Sequence, residues 1–118
     1  MKNLLFTLLL LASLACNTQK EGESIEYYKS GAIKMKAYIV DGQFQGELIS
    51  YYESGAIKMK AYIVDGQLQG ERISYYESGA VEQKGNYVDG QLQGKYIYYE
   101  NGVIIVIQNY KDGELIED

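Results

Sequence analysis

The segment Ala56–Val64, AIKMKAYIV, alternates between two kinds of position. Ile57, Met59, Ala61 and Ile63 fall on one side; Lys58, Lys60 and Tyr62 fall on the other. A period of two predicts a β-strand with one packed face and one wet face. A helix is the competing reading, but bracketing glycines and the β-branched and aromatic content favour a strand. The pattern recurs along the chain. Tyr51–Gly70 reads YYESGAIKMKAYIVDGQLQG; it has counterparts at Tyr27–Gly46, Tyr75–Gly94 and, in worn form, Tyr98–Glu117. Self-similarity at a fixed period means stacked units, none of which buries its apolar face alone.

Two sets of turns punctuate each unit. Gly31, Gly55, Gly79 and Gly102 end the first turn; Gly42, Gly66, Gly90 and Gly113 end the second. The Ser-Gly and Asn-Gly turns suit three-residue hairpin loops with Gly left-handed. The Asp-Gly turns suit two-residue loops with both residues at positive φ. Each unit is therefore strand, turn, strand, turn. The expected fold is all-β: an elongated, twisted antiparallel meander of about eight strands, spanning residues 25–118 with units near 27–46, 51–70, 75–94 and 98–117.

Pairing imposes a further condition. A loop at Glu53–Gly55 sets Tyr51 opposite Ile57 and Ile49 opposite Met59. A loop at Asp65-Gly66 sets Ile63 opposite Leu68, but strict continuation puts Arg72 opposite Met59. A one-residue slip turns every side chain over, so one extra residue is required. We expect a β-bulge between Leu68 and Ile73, seated at Gly70, with Gly46 doing the same. From Gly94 to Gly102 the chain is one residue shorter, which suggests that the last unit lacks this bulge and that Tyr98 takes the slot of Tyr75.

The amino-terminal segment stands outside this pattern. Lys2 is followed by the apolar run Leu4–Leu11 and by small residues up to Cys16. The run is too short to span a bilayer, which takes about 20 apolar residues. It reads as an export signal over residues 1–15. Ser13-Leu14-Ala15-Cys16 resembles a bacterial lipobox, which implies a lipid on Cys16, the single cysteine of the chain. Residues 16–24 then read as a flexible spacer. The resemblance implies an exported protein of the bacterial cell envelope, and we expect it to be held to the membrane through Cys16.

Composition narrows the chemistry. The 118 residues include no His, which removes the usual general base and a frequent metal ligand. Acids outnumber bases, 16 to 11, unlike the basic face of a nucleic-acid-binding domain. Without the leader the balance is 10 bases to 16 acids, a net charge of −6. A domain so charged is repelled by an anionic bilayer, and a lipid tether would hold it near. No catalytic constellation, phosphate loop, cofactor motif or metal-ligand spacing occurs, so we expect no enzyme, no cofactor and no metal.

Units of about 24 residues with Tyr-Tyr-x-x-Gly, then Tyr-x-x-Gly and a Gly four residues on, resemble the MORN repeat. They are closest in appearance to its bacterial variant, labelled YwqK-type and antitoxin-like. Tyr87–Gly90 and Tyr110–Gly113 carry the match most fully; Ile39 and Ile63 fill the Tyr slot in the first two units. The resemblance implies a meander of strand pairs that serves as a scaffold for protein and sometimes lipid contacts.

Candidate contacts follow from the repeats. Tyr28, Tyr52, Tyr76 and Tyr99 would form an outer ladder for a partner or a sugar, or simply pack across strands. Lys34, Lys36, Lys58 and Lys60 would form a basic patch on the wet face, interrupted by Glu82. Asp41, Asp65, Asp89 and Asp112 precede turn glycines and read as turn residues rather than calcium ligands. Val103–Ile107, VIIVI, breaks the alternation by placing Ile105 and Ile107 where earlier units have Lys. That strand is either a closing strand or a docking patch. The functional expectation is a lipid-anchored scaffold that presents a sheet face to an unidentified protein. The alternatives are an antitoxin or immunity-like protein that binds a toxin, and an envelope glycan-binding module.

Overall fold

The computed structural model describes residues 21–116. The leader, Cys16 and the first part of the spacer lie outside the described residues. Four long hairpins follow one another: β1 (Gly22–Tyr27) with β2 (Ile33–Val40), β4 (Gly46–Tyr51) with β5 (Ile57–Val64), β7 (Gly70–Tyr75) with β8 (Val81–Val88), and β10 (Gly94–Glu100) with β11 (Val103–Lys111). Short strands β3 (Gln43–Phe44), β6 (Gln67–Leu68) and β9 (Gln91–Leu92) fold back onto β2, β5 and β8, and β12 (Glu114–Ile116) folds back onto β11. The result is one open antiparallel layer in the order β1-β2-β4-β5-β7-β8-β10-β11-β12. Strands number 12 rather than about eight because three Gln-Gly steps each divide a return strand in two and the short β12 follows the last hairpin. Gly22–Ser24, expected in the spacer, belong to β1.

The turns obey the residues that form them. Tyr52 N–H donates to Ala56 C=O at 2.8 Å and Gly55 N–H to Tyr52 C=O at 2.9 Å, closing the three-residue loop. Asp65 and Gly66 both adopt positive φ, 51° and 78°, as a tight two-residue hairpin turn demands.

The register departs from the expected one in three ways. First, the step at Gly70 gains two residues, not one: Ile63 faces Leu68, yet Lys60 faces Ile73. Gly70 (φ 81°) marks where pairing with β5 is interrupted, to resume at Ile73, and where pairing with β8 begins, opposite Tyr87. Second, the same step persists at Gly94, since Tyr87 faces Leu92 while Lys84 faces Ile97. The residue missing from the last unit is lost from its turn instead. Asn101-Gly102, at φ 53° and 76°, makes a two-residue loop between Glu100 and Val103. Tyr99, not Tyr98, thus holds the slot of Tyr75. Third, every long hairpin carries a bulge of its own. Tyr51 faces Ile57 as expected, but Ser50 rather than Ile49 faces Met59, so Lys58 is extra. Lys34, Glu82 and Ile105 are the corresponding extra residues.

This second bulge sorts the side chains. Directly opposed residues in an antiparallel pair project to the same face. Met59, Ala61 and Ile63 share a first face with Ser50, Leu48 and Ser74, while Ile57 crosses to the second face with Tyr51. The buried positions Ala37, Ile39, Ala61, Ile63, Ser74 and Tyr96 all fall on the first face, but no side chain there is fully enclosed. A single layer leaves them covered only by their neighbours.

One cross-strand swap shows how tight that cover is. Ala37 and Ala61 have Gly85 as their third-unit counterpart, and Leu48 and Arg72 have Tyr96 as their fourth-unit counterpart. The Tyr96 ring lies over Gly85, where an added Cβ would come within 2.5 Å of it. The ring is held there by its hydroxyl, which donates to Gln83 Oε1, and by edge contact with Tyr110 at 6.2 Å. Gly85→Ala should therefore cost about 1–3 kcal/mol in urea unfolding, the usual scale of overpacking. In a Tyr96→Leu background the same substitution should cost far less. An equal loss in both backgrounds would contradict this packing.

Candidate interaction surfaces

The first face carries a tie between successive hairpins. The hydroxyl of Tyr28 donates to Tyr51 C=O at 2.6 Å, Tyr52 to Tyr75 C=O at 2.6 Å and Tyr76 to Tyr99 C=O at 2.8 Å. Each bond satisfies a buried polar tip and an edge carbonyl at once. The extra residue of the bulge sits beside the ring: Lys34 Nζ lies 5.7 Å from the Tyr28 centroid and Lys58 Nζ 5.6 Å from that of Tyr52, within cation–π reach. Around Tyr52 these groups border a shallow cavity of about 390 Å³, with Arg72 and Glu82 on its wall. Burial, followed by the carboxylates of Glu82 and Glu77, pushes the Tyr52 phenol above its ordinary pKa. Burial raises that of Tyr96 as well, against a smaller opposing pull from Arg72.

The second face is built of rows that run across the strands. One row alternates isoleucine and lysine: Ile25, Lys36, Ile49, Lys60, Ile73, Lys84 and Ile97. Beside it lie the first members of the first three Tyr pairs and the second member of the last, each opposite an aliphatic residue: Tyr27 with Ile33, Tyr51 with Ile57, Tyr75 with Val81 and Tyr99 with Ile104. On the other flank Glu23 faces Tyr38 and Glu47 faces Tyr62. Tyr38 and Tyr62 are each 52% exposed and Tyr27 is 60% exposed. Equivalent residues recur every second strand, about 9.6 Å apart. This face is thus an open lattice of aromatic, aliphatic and charged groups.

A third surface lies at the carboxy-terminal end. Val103, Ile104, Ile105, Val106 and Ile107 are all exposed, from 43% to 63%. Strand β12 covers β11 only at Asn109–Lys111.

The structure redistributes the residues singled out from sequence. Tyr28, Tyr52 and Tyr76 belong to the more buried face, and their hydroxyls are engaged, so they do not form an outer ladder. Tyr99 lies on the opposite face, with Lys84 Nζ 5.9 Å from its ring centroid. The lysine patch also divides: Lys34 and Lys58 join the tyrosines of the first face, while Lys36 and Lys60 lie among the isoleucines of the second. Ile105 is the bulge residue and Ile107 faces Ile97, so the apolar end wraps both faces. Asp65 and Asp89 close their turns, their N–H groups each donating to a Gln Oε1, of Gln45 and Gln69, at 2.6 Å. Sequence reading placed Tyr62 on the wet face but missed Tyr27 as an exposed aromatic, and it singled out none of Tyr27, Tyr38 and Tyr62 as candidate contacts. A bulge beside the Tyr pair was the needed signal, and its extra residue varies from Lys to Glu to Ile.

These features define a class: a one-layer sheet of tandem hairpins, each hairpin tied to the next. The profile of the MORN repeat variant matches residues 20–41, 44–65, 68–89 and 92–112, and the chain belongs to that family. Each match covers one observed hairpin, from the Gln-Gly or Glu-Gly step to the Asp of the next turn. Among curated proteins none matches the chain.

The tyrosine ties can be measured. Tyr52→Phe should cost about 0.5–1.5 kcal/mol, the net worth of a typical hydrogen bond. A raised folded-state pKa favours the neutral phenol, so that contribution is whole below the unfolded value near 10 and is lost as pH rises through the folded one. Urea unfolding from pH 8 to 11 should show stability falling above pH 10, less steeply in Tyr52→Phe. A variant as stable as the parent with the same alkaline slope would refute the tie.

Proposed function

We propose that the protein is a lipid-anchored scaffold of the bacterial cell envelope that binds another protein through the second face of its sheet. The observation that supports this most is the lattice itself. Apolar Ile25, Ile49, Ile73 and Ile97 alternate with Lys36, Lys60 and Lys84 across seven strands, flanked by exposed Tyr27, Tyr38 and Tyr62, and no second layer covers them among the described residues. Aromatic residues set in an open apolar surface are characteristic of recognition surfaces. Family membership supports a repeat scaffold; the leader and the lipobox-like Cys16 support the anchor. The acidic total favours a partner that brings basic groups to Glu23, Glu47 and Glu71.

Affinity capture from envelopes, with the chain anchored through Cys16, tests both parts. The third unit carries Asn86 in the slot of Tyr38 and Tyr62, so Tyr38→Asn/Tyr62→Asn is compatible with the fold. A defined partner should be recovered with the parent and reduced at least tenfold with the double variant. A fatty-acid label should be incorporated by the parent and lost in Cys16→Ser. Equal recovery with both chains would remove this face as the binding surface. An unlabelled parent would remove the anchor.

A further inference from the structure

We infer that Asn101 is a modification site built into the last hairpin: the backbone nitrogen of Gly102 attacks its side-chain amide, and the turn between β10 and β11 converts to aspartate and isoaspartate. The inference goes beyond the scaffold reading and depends on no partner.

The chemistry needs an amide electrophile, an uncrowded nitrogen one residue on, and a backbone free to bring the two together. Asparagine is among the thermolabile residues. Asn101 alone of the chain's asparagines is followed by glycine. Asn86 and Asn109 lie within β8 and β11, each followed by a tyrosine and each paired, with Glu71 and with Lys95. Asn101 and Gly102 are both exposed in a two-residue loop. A Cβ at Gly102 would meet nothing within 4 Å, so the surroundings leave its nitrogen uncrowded.

The Asp-Gly turns show why this loop stands apart. Gly90 N–H donates to Leu68 C=O at 2.9 Å and Gly113 N–H to Leu92 C=O at 3.0 Å, so the preceding unit holds both nitrogens. The carboxylates of Asp89 and Asp112 accept from Gln69 Nε2 and Gln93 Nε2, at 3.2 and 2.6 Å. Gly102 N–H has no backbone acceptor among the described residues. At Asp41-Gly42 and Asp65-Gly66 the glycine nitrogens are also without one, but there the electrophile is a carboxylate, which accepts a nitrogen nucleophile less readily than an amide does. Ring closure needs the loop to leave the left-handed conformation that holds Asn101 at φ 53°. Local opening of that kind comes most easily where a strand has few neighbours. Strand β11 is paired along one side by β10 and along the other only at Asn109–Lys111, so the part next to the loop has a free edge.

In the first step Gly102 N bonds to Asn101 Cγ. The Nδ2 group leaves as ammonia, taking the proton of the attacking nitrogen, and a cyclic succinimide remains. Water then adds to one of its two carbonyls. Opening at one gives aspartate; opening at the other gives isoaspartate, whose main chain runs through the former side-chain methylene. Either product sets a second carboxylate beside Glu100. Isoaspartate also lengthens the loop by one backbone carbon, and loop length fixes the register of a hairpin. The pairs Glu100–Val103 and Tyr99–Ile104 lie next to the loop and are the first to be lost. Tyr99 C=O accepts the last tyrosine tie, from Tyr76, so the loosening reaches the third hairpin.

The full chain can be aged in mild detergent and mildly alkaline buffer and its peptides mapped by mass spectrometry, with isoaspartate told from aspartate by backbone fragmentation. Asn101 should convert at least tenfold faster than Asn86 and Asn109, mostly to isoaspartate. The rate should rise with pH, because the attacking nitrogen must lose its proton. Amide exchange of Val103–Val106 should quicken at least tenfold in the aged chain. It should stay unchanged on ageing Asn101→Gly, which keeps the left-handed loop without an amide. Conversion no faster than at Asn86 and Asn109 would overturn the site. Aspartate without isoaspartate would overturn attack by Gly102 N in favour of direct hydrolysis. Conversion at Asn101 with unaltered exchange in β11 would overturn the loosening of the hairpin.

Discussion

A sheet one layer thick has no opposite layer against which to bury its apolar side chains, and its cohesion must come from the neighbouring hairpin. In this protein the tie is repeated three times. A tyrosine from one hairpin reaches across to the carbonyl of Tyr51, Tyr75 or Tyr99 in the next, while the bulge of its own hairpin brings a lysine to the ring in the first two units. Removing a neighbour leaves both a phenol tip and an edge carbonyl without partners. That dependence explains why the unit recurs with so little variation through Gly94. It also explains why variation appears where the tie ends: Glu100 replaces the last tyrosine, and the first five residues of the strand beyond it, Val103–Ile107, change from mixed to aliphatic.

Backbone freedom supplies the other half of the design. Each unit makes two departures from a regular ladder. The left-handed glycine at Gly46, Gly70 and Gly94 shifts the register against the preceding strand and opens pairing with the next. The bulge at Lys34, Lys58, Glu82 and Ile105 puts Tyr27, Tyr51, Tyr75 and Tyr99, with their aliphatic partners, on the second face. Together they turn a simple alternation into a sheet with two distinct surfaces. One is sparsely buried and held by hydrogen bonds. The other is an open lattice whose groups recur every second strand.

Much of this was legible in the sequence. The hairpin turns followed from Ser-Gly and Asp-Gly, because those residues meet specific φ requirements. The irregularity at Gly70 followed from a conflict between loop geometry and face matching. The bulge beside the tyrosine pair was not legible, because its extra residue takes no positive φ and so calls for no glycine or asparagine that would mark it. Its omission reversed the assignment of Tyr28, Tyr52 and Tyr76, which depend on a one-residue shift. The shortening of the last unit had two possible sites, the turn and the Gly94 step, and spacing alone favours neither. Asn101-Gly102 accommodates it because Asn tolerates the left-handed conformation that the shorter loop imposes. The apolar end was visible from the start as a broken alternation; what the structure adds is its exposure on both faces.

Amide hydrogen exchange tests most directly the claim that each hairpin is held by its neighbours. In a quasi-one-dimensional array, protection is set by the number of adjacent units. In dilute solution, amides of β4, β5, β7 and β8 should exchange slowest, with protection falling toward β1 on one side and β12 on the other. Slowest exchange in a terminal hairpin, with the central strands opening first, would contradict the account.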